Sequence, residues 1–347
     1  MHLLLTTYPE HKSQNVGDNL IAQSTIRLIR QFNRDFDPTI VFRGKALDGF
    51  SKKKVRHIIA PGFSVANGVY PDLFPLYTDL NRLINFHPVG CSFQHIIPSR
   101  ESFSASHYDD RTKEFLKLVV DRSGPLPCRD QLIADMLTQQ LGLPAYYSGD
   151  MAIYDADYLG SDFAPPGEIQ SLVFTVQHHL QYLEQSIELL KRIKAAFPGA
   201  KRYVALHSKP NAISSTVAAR AAQLGFETLH QYGDIAKLEA YKAIDLHIGY
   251  RLHGHICFLR YRKPSILMVE DARSFGFAQT PGTAVGCFDA FDTGMGEPDA
   301  AAPARAMDFL QGEIAQGFQG YKPLFGFVDQ TYREIVEPYF RSLAAQL

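Results

Sequence analysis

The sequence predicts an α/β protein of two Rossmann-like halves, and three observations carry that prediction. Short apolar runs alternate with helix-period segments along most of the chain, the pattern of parallel strands covered by helices. At 347 residues the chain exceeds one typical core and suggests two domains. Near its middle the alternation breaks: residues 155–168 collect Asp, Gly, Ser and paired prolines, the composition of a linker. Two such halves facing one another place a cleft between their strand ends. The expected units are residues 1–160, residues 168–302, and a helical segment 303–347 that packs back across both.

In the first half, apolar runs predict strands over residues 3–7, 55–60, 83–89 and 126–128, with a shorter one at 146–148. Helices are expected over 18–32, 72–80, 109–120 and 130–141. In the last of these Leu132, Ile133, Met136, Leu137 and Leu141 recur with a helical period. After the linker the series runs strand 172–176, helix 182–197, strand 202–206, helix 214–224 and strand 226–230. A short helix 235–242, strand 245–249, a helix after Leu252 and strand 265–269 follow. Residues 329–344 again have helical character.

Composition narrows the function. With 35 basic against 36 acidic residues the net charge is −1, so no global field draws the chain to nucleic acid or lipid. An anion site must therefore be local. Cys91, Cys128, Cys257 and Cys287 form no CxxC pair, which indicates neither a zinc site nor a disulfide framework. His178-His179 lack a third ligand at metal-like spacing, and no metal or cofactor is expected. GxSxG, HExxH and the glycine-rich nucleotide motifs are missing, leaving the common hydrolase, zincin and dinucleotide readings unsupported. The opening Met1–Tyr8 is too short an apolar run for a signal peptide, and no stretch approaches the ~20 apolar residues of a membrane span. The expectation is a cytoplasmic protein.

The most informative stretch is Ile248-Gly249-Tyr250-Arg251-Leu252-His253-Gly254-His255, a buried strand entering a glycine turn and then a helix. Ligands of a parallel sheet sit just past the carboxyl ends of its strands, and a helix N-terminus suits an anion. Arg251 supplies a cation there and His253 a titratable acid. His255 lies two positions further round the helix and is read as structural. Asn15-Val16-Gly17-Asp18 follows the first strand. Asp18 is read both as a helix cap and as a group that takes a proton from a hydroxyl or holds a sugar. Arg129-Asp130 stands at another strand end, with Asp130 as cap and Arg129 as a second cation for the cleft. His207-Ser208-Lys209 offers imidazole, hydroxyl and ammonium groups at a further helix entrance. Gly149-Asp150 reads mainly as a turn.

Taken together and in this order, Asn15-Val16-Gly17-Asp18, Arg129-Asp130 and Arg251-Leu252-His253 resemble the N-x-G-D, R-D and R-L-H motifs of the polysaccharide pyruvyl transferase family. The resemblance spans roughly residues 3–270. It implies a GT-B-like fold and transfer of the enolpyruvyl group of phosphoenolpyruvate to sugar hydroxyls, giving a pyruvate ketal and phosphate. The first half would face the acceptor and the second the donor. Catalytic roles would fall to His253, Arg251 and Asp18, and substrate binding to Arg129, Asn15, Gly17, His207 and Lys209. The acceptor would be a sugar, a nucleotide-sugar or a lipid-linked glycan, the last bringing the protein near a membrane surface. Two departures stand out: Ala60-Pro61-Gly62-Phe63-Ser64 replaces a glycine run, and Glu270-Asp271-Ala272-Arg273 replaces a Y-x-x-K segment. Alternative readings are a GT-B glycosyltransferase using a nucleotide sugar, and a catalytically silent glycan-binding protein.

Overall fold

A computed structural model describes residues 1–8, 14–51, 54–292 and 296–347. Its first unit is a parallel sheet of β1 (His2–Thr6), β2 (Thr39–Phe42), β3 (His57–Pro61) and β4 (Phe86–Val89), ordered β2-β1-β3-β4. A bridge between Cys91 and Cys128 continues it into the pair β5 (Leu126–Cys128) and β6 (Ala145–Tyr147). The second unit is a six-stranded parallel sheet among the described residues. It comprises β7 (Ser171–Thr175), β8 (Lys201–Leu206), β9 (Glu227–His230), β10 (Leu246–Gly249), β11 (Ser265–Val269) and β12 (Cys287–Asp289), ordered β12-β11-β10-β7-β8-β9.

The strand order reverses between β1 and β3 in the first sheet and between β7 and β10 in the second. At such switch points the following loops diverge and leave a crevice for ligand. The central strands are buried throughout because helices cover both faces: every residue of β10 and β11 is buried. Helices α1 (Val16–Arg30), α2 (Asp110–Ser123) and α3 (Gln131–Asp135, running on as a wide turn to Gln140) belong to the first unit. Helices α4 (Leu183–Ala196), α5 (Ala212–Gln223), α6 (Leu252–Arg260), α7 (Ala272–Gln279) and α8 (Ala302–Ala315) belong to the second.

The chain then returns to the first unit through α9 (Lys322–Thr331) and α10 (Glu337–Gln346). Tyr332 donates to the Gln31 side chain at 2.5 Å, Tyr339 donates to Pro88 O at 3.1 Å, and Arg341 stacks on Phe32. Between the units, the buried Arg260 guanidinium joins Asp155, in the connecting segment, to Ser24 of α1. Among the described residues no helix is long and apolar enough to cross a membrane.

One expected helix fails. Residues 72–80 form only an irregular turn at Val69–Leu73 and a short 3-10 turn at Leu80–Arg82. Pro71 and Pro75 explain it, since each removes a donor and pushes its predecessor out of the helical region. The expected helix at 235–242 is a 3-10 run over Ile235–Ala243. Strands β2 and β12 lie outside the predicted set; β2 is a four-residue, half-exposed edge strand.

Candidate functional site

Four helices begin at the cleft between the two sheets, and their N-termini are not equivalent. Asn15 caps α1 by accepting from Gly17 N at 3.1 Å, Asp130 caps α3 by accepting from Ile133 N at 2.9 Å, and Asp271 caps α7 in a capping box with Ser274. Only α6 starts without a side-chain cap among these four, on Arg251. Its first turn therefore keeps backbone donors for an anion. Gly249 (φ 154°) makes this turn possible: a Cβ there would collide with Thr175 of β7 at 2.5 Å. Gly254 likewise lets α6 press on His247 and Thr175.

The cleft has two chambers that share His253 and Arg273. The first is lined by Thr7, Asp18, Arg43, Gly62, Gln94 and Arg129 among others. The second is lined by Asn15, His178, His207, Tyr250, Arg251 and Asp271. His253 stands between them at 8% exposure. Gly17 lies against its ring so closely that a Cβ would approach Nδ1 to 2.4 Å. On the other side Nε2 lies 3.4 Å from Asp150 Oδ2, an ion-pair contact without hydrogen-bond alignment. Burial disfavours a charged Asp150, but contact with His253 and the charge of Arg129 hold its carboxyl below the usual range. Asp150 thus stays ionised beside Nε2.

Arg129 is the most exceptional group in the cleft. It is buried, and its Nε and Nη2 have no hydrogen-bond partner. Asp130 Oδ2 lies 3.9 Å from that Nε. Burial raises the Asp130 pKa to about 7 against the pull of Arg129, so this neighbour does not fully neutralise the guanidinium. Nε and Nη2 form the edge that grips a carboxylate or phosphate bidentately. Arg43 lines the same chamber, and its buried Nε is also without a partner.

Arg251 is committed differently. Its Nε donates to Val176 O at 2.7 Å and its Nη1 faces the His178 ring, with Nδ1 at 2.6 Å. Burial brings the Arg251 pKa down to about 10, opposed by Glu270. Burial and then Arg251 push the His178 pKa well down, leaving a neutral ring that accepts from the guanidinium. Glu270 accepts from His178 N at 2.9 Å and His179 N at 3.3 Å, and burial raises its pKa to about 8. The Nε edge of Arg251 is thus already engaged, whereas that of Arg129 has no hydrogen-bond partner.

The expected residues are distributed as follows. Asp18 accepts from Thr7 Oγ1 at 2.6 Å in the first chamber. Asn15 and Gly17 meet His253 across the cleft. His207 lines the second chamber, but its Nε2 pairs with Tyr241 OH at 2.7 Å and its carbonyl accepts from Val16 N at 2.9 Å. It ties the two units together at the start of α1. Lys209 is exposed and lines neither chamber, because the loop leaves the cleft before Asn211 caps α5. His255 is fully buried, bonded through Nδ1 to Ser265 Oγ at 2.7 Å, and burial lowers its pKa to about 3. Among the described residues no three His, Cys, Asp or Glu side chains group as a metal site.

Three cleft residues escaped the sequence reading. Arg273 sits in both chambers beside Asp271, in the segment that departs from Y-x-x-K; that departure was the available signal. Asp150 looked like a turn because its partner His253 is 103 positions away. Arg43 follows the unpredicted β2. Gly62, in the altered glycine run, lines the first chamber at φ 61°.

Known proteins resemble this chain at two levels. In fold it is similar to a putative UDP-N-acetylglucosamine 2-epimerase from Listeria monocytogenes (10% identity, 99% of this chain, 97% of the other, TM-score 0.53). It is also similar to the UDP-GlcNAc 2-epimerase from Neisseria meningitidis (8% identity, 98% and 100% coverage, TM-score 0.52). The UDP co-structure of S. aureus MnaA has 9% identity, 98% and 96% coverage and a TM-score of 0.52. The architecture is accordingly that of two Rossmann-like domains in a GT-B-like arrangement. No curated protein sequence is detectably similar to the chain. The family model for polysaccharide pyruvyl transferase matches residues 15–271, from the cap of α1 to the cap of α7. With every motif of the cleft inside that match, the chain belongs to the polysaccharide pyruvyl transferase family.

Proposed function

We propose that the protein transfers the enolpyruvyl group of phosphoenolpyruvate to a sugar, forming a pyruvate ketal and releasing phosphate. The observation that carries this reading is His253, an imidazole flanked by two chambers that each hold arginine. The donor carries two anionic groups, a carboxylate and a phosphate, both on C2 of the double bond whose terminal carbon is to be protonated. Its phosphate suits the uncapped N-terminus of α6 and Arg251. Its carboxylate suits the open Nε–Nη2 edge of Arg129. The acceptor would be a sugar, alone or carried on a nucleotide or a lipid.

The chemistry balances with the groups present. His253 protonates the terminal methylene carbon, leaving an oxocarbenium-like centre at C2. A sugar hydroxyl adds there and its proton passes to Asp18. Phosphate then leaves C2, taking that proton, while a second hydroxyl closes the ketal and returns a proton to His253. Asp150, beside Nε2, keeps the ring oriented. Proton transfer of this kind is worth about 10²–10⁴-fold in rate.

The test is phosphate release from phosphoenolpyruvate across a panel of sugar acceptors. His253→Ala should lose about 10²–10⁴-fold in kcat and retain donor binding. Near wild-type turnover by that variant would remove His253 from the reaction. Release of nucleotide from a sugar nucleotide, with none of phosphate from phosphoenolpyruvate, would replace the reading with glycosyl transfer.

A further inference from the structure

Beside the first chamber lies a larger groove in the N-terminal unit, with a cavity of about 410 Å³. Gln94 lines both, so the groove adjoins the cleft. Its wall is the segment from Phe93 to Tyr108. Phe93 and Phe103 stack at 5.1 Å beneath it, and Tyr108 is pinned by donating to Val65 O at 2.6 Å. Across the cleft the segment is held by Ala272 N, which donates to His95 O at 3.0 Å, and by Arg100, which donates to Gln279 at 2.9 Å.

The lining chemistry differs from that of the cleft. The first chamber holds Arg43, Arg129 and Arg273. The described residues lining the groove include no arginine or lysine; they offer Glu101, His95, His107, Asn67 and serine hydroxyls against the apolar Phe93 and Ile97. A phosphate, diphosphate or uronate there would meet the Glu101 carboxylate, with no arginine or lysine among the described lining residues to bind it. An uncharged sugar fits: its hydroxyls pair with the polar rim and its C–H face lies on the apolar wall. The volume falls in the range of about 300–1,000 Å³ usual for small-ligand sites, more than the reacting sugar alone requires.

Resting on the transfer reading above, we propose that this groove binds the uncharged sugar residues next to the one being modified, so that the enzyme prefers an oligosaccharide acceptor. Anionic groups are confined to the cleft.

The experiment measures binding and turnover together. Neutral oligosaccharides of one to four hexose or N-acetylhexosamine units are titrated against the full chain by calorimetry. Each is then assayed for phosphate release from phosphoenolpyruvate. In the wild type, affinity and kcat/KM should rise at least tenfold from one unit to three. Ser104→Trp, which fills the groove, should abolish that gain and leave the monosaccharide and the donor KM unchanged. The milder Glu101→Gln should reduce it. Length-independent binding overturns the proposal, as does a length preference that survives Ser104→Trp in a variant of wild-type melting temperature. Tighter binding of UDP-sugar than of oligosaccharide, sensitive to Ser104→Trp, also overturns it. If oligosaccharides bind with the expected length dependence but phosphate is never released, the groove stands and the transfer reading falls.

Discussion

The two walls of the cleft hold their arginines in opposite states. On the second unit's wall, Arg251 is engaged by Val176 O and a neutral His178, with the Glu270 carboxylate nearby. On the first unit's wall, Arg129 is buried with an open bidentate edge, and Arg43 has a buried unpartnered Nε. A buried, unpaired guanidinium destabilises a fold unless a ligand compensates it. Arg251 therefore acts as a positioned part of the scaffold that also faces substrate. On the proposed reading, Arg129 is held for an anion that arrives from outside. The donor motif legible in the sequence and the strongest anion-binding edge lie on opposite sides of the cleft.

The sharpest way to break this comparison is Arg129→Met, which keeps volume and removes the buried charge. Two charge-assisted hydrogen bonds lost from substrate predict a fall of about 10²–10⁴-fold in kcat/KM for the donor. The melting temperature should hold or rise. A destabilised variant with intact donor affinity would show that Arg129 is structural.

Next comes Asp150→Asn. It leaves the shape intact but removes the carboxylate beside His253, and about 10²-fold in kcat should be lost with donor KM unchanged. An equal rise in KM would instead place Asp150 in substrate binding. Gly17→Ala should cost roughly 10–10²-fold in kcat by displacing the His253 ring. The added methyl favours the helix, so thermal stability measured alongside separates misplacement from unfolding.

The smallest effect concerns Glu270, whose pKa of about 8 in the folded protein exceeds the ~4.3 of an unfolded chain. Between those values the native state holds a proton that the unfolded state has lost, so stability falls as pH rises through that window. Asp130, raised to about 7, acts with the same sign. Urea denaturation at about pH 5.5 and 8.5 should show this decline, and Glu270→Gln should flatten it without abolishing it. An unchanged slope would exclude Glu270 as its source.

Much of the fold was legible. The apolar strands β1, β7, β10 and β11 announce themselves because both their faces are buried, and the prolines at 71 and 75 already argue against the helix expected there. Edge strand β2 was missed although Ile40-Val41-Phe42 form a short apolar run, because the strand is only four residues long. The order of Asn15–Asp18, Arg129-Asp130 and Arg251–His253 marked the cleft because each motif sits where a strand turns into a helix. Lys209 sits at such a turn too, yet it is exposed.

Local sequence accounts for the helix entrances, for the glycines that allow close approach, and for the difference between His253 and His255, since positions along one helix are set by its period. Tertiary structure alone accounts for the partnerships. Asp150 reaches His253, Glu270 takes the backbone of His178, and Arg129 keeps Nε and Nη2 without a hydrogen-bond partner, all because two sheets meet at their switch points. Burial and long-range pairing decide which charges are neutralised, and neither is encoded in the spacing of a motif.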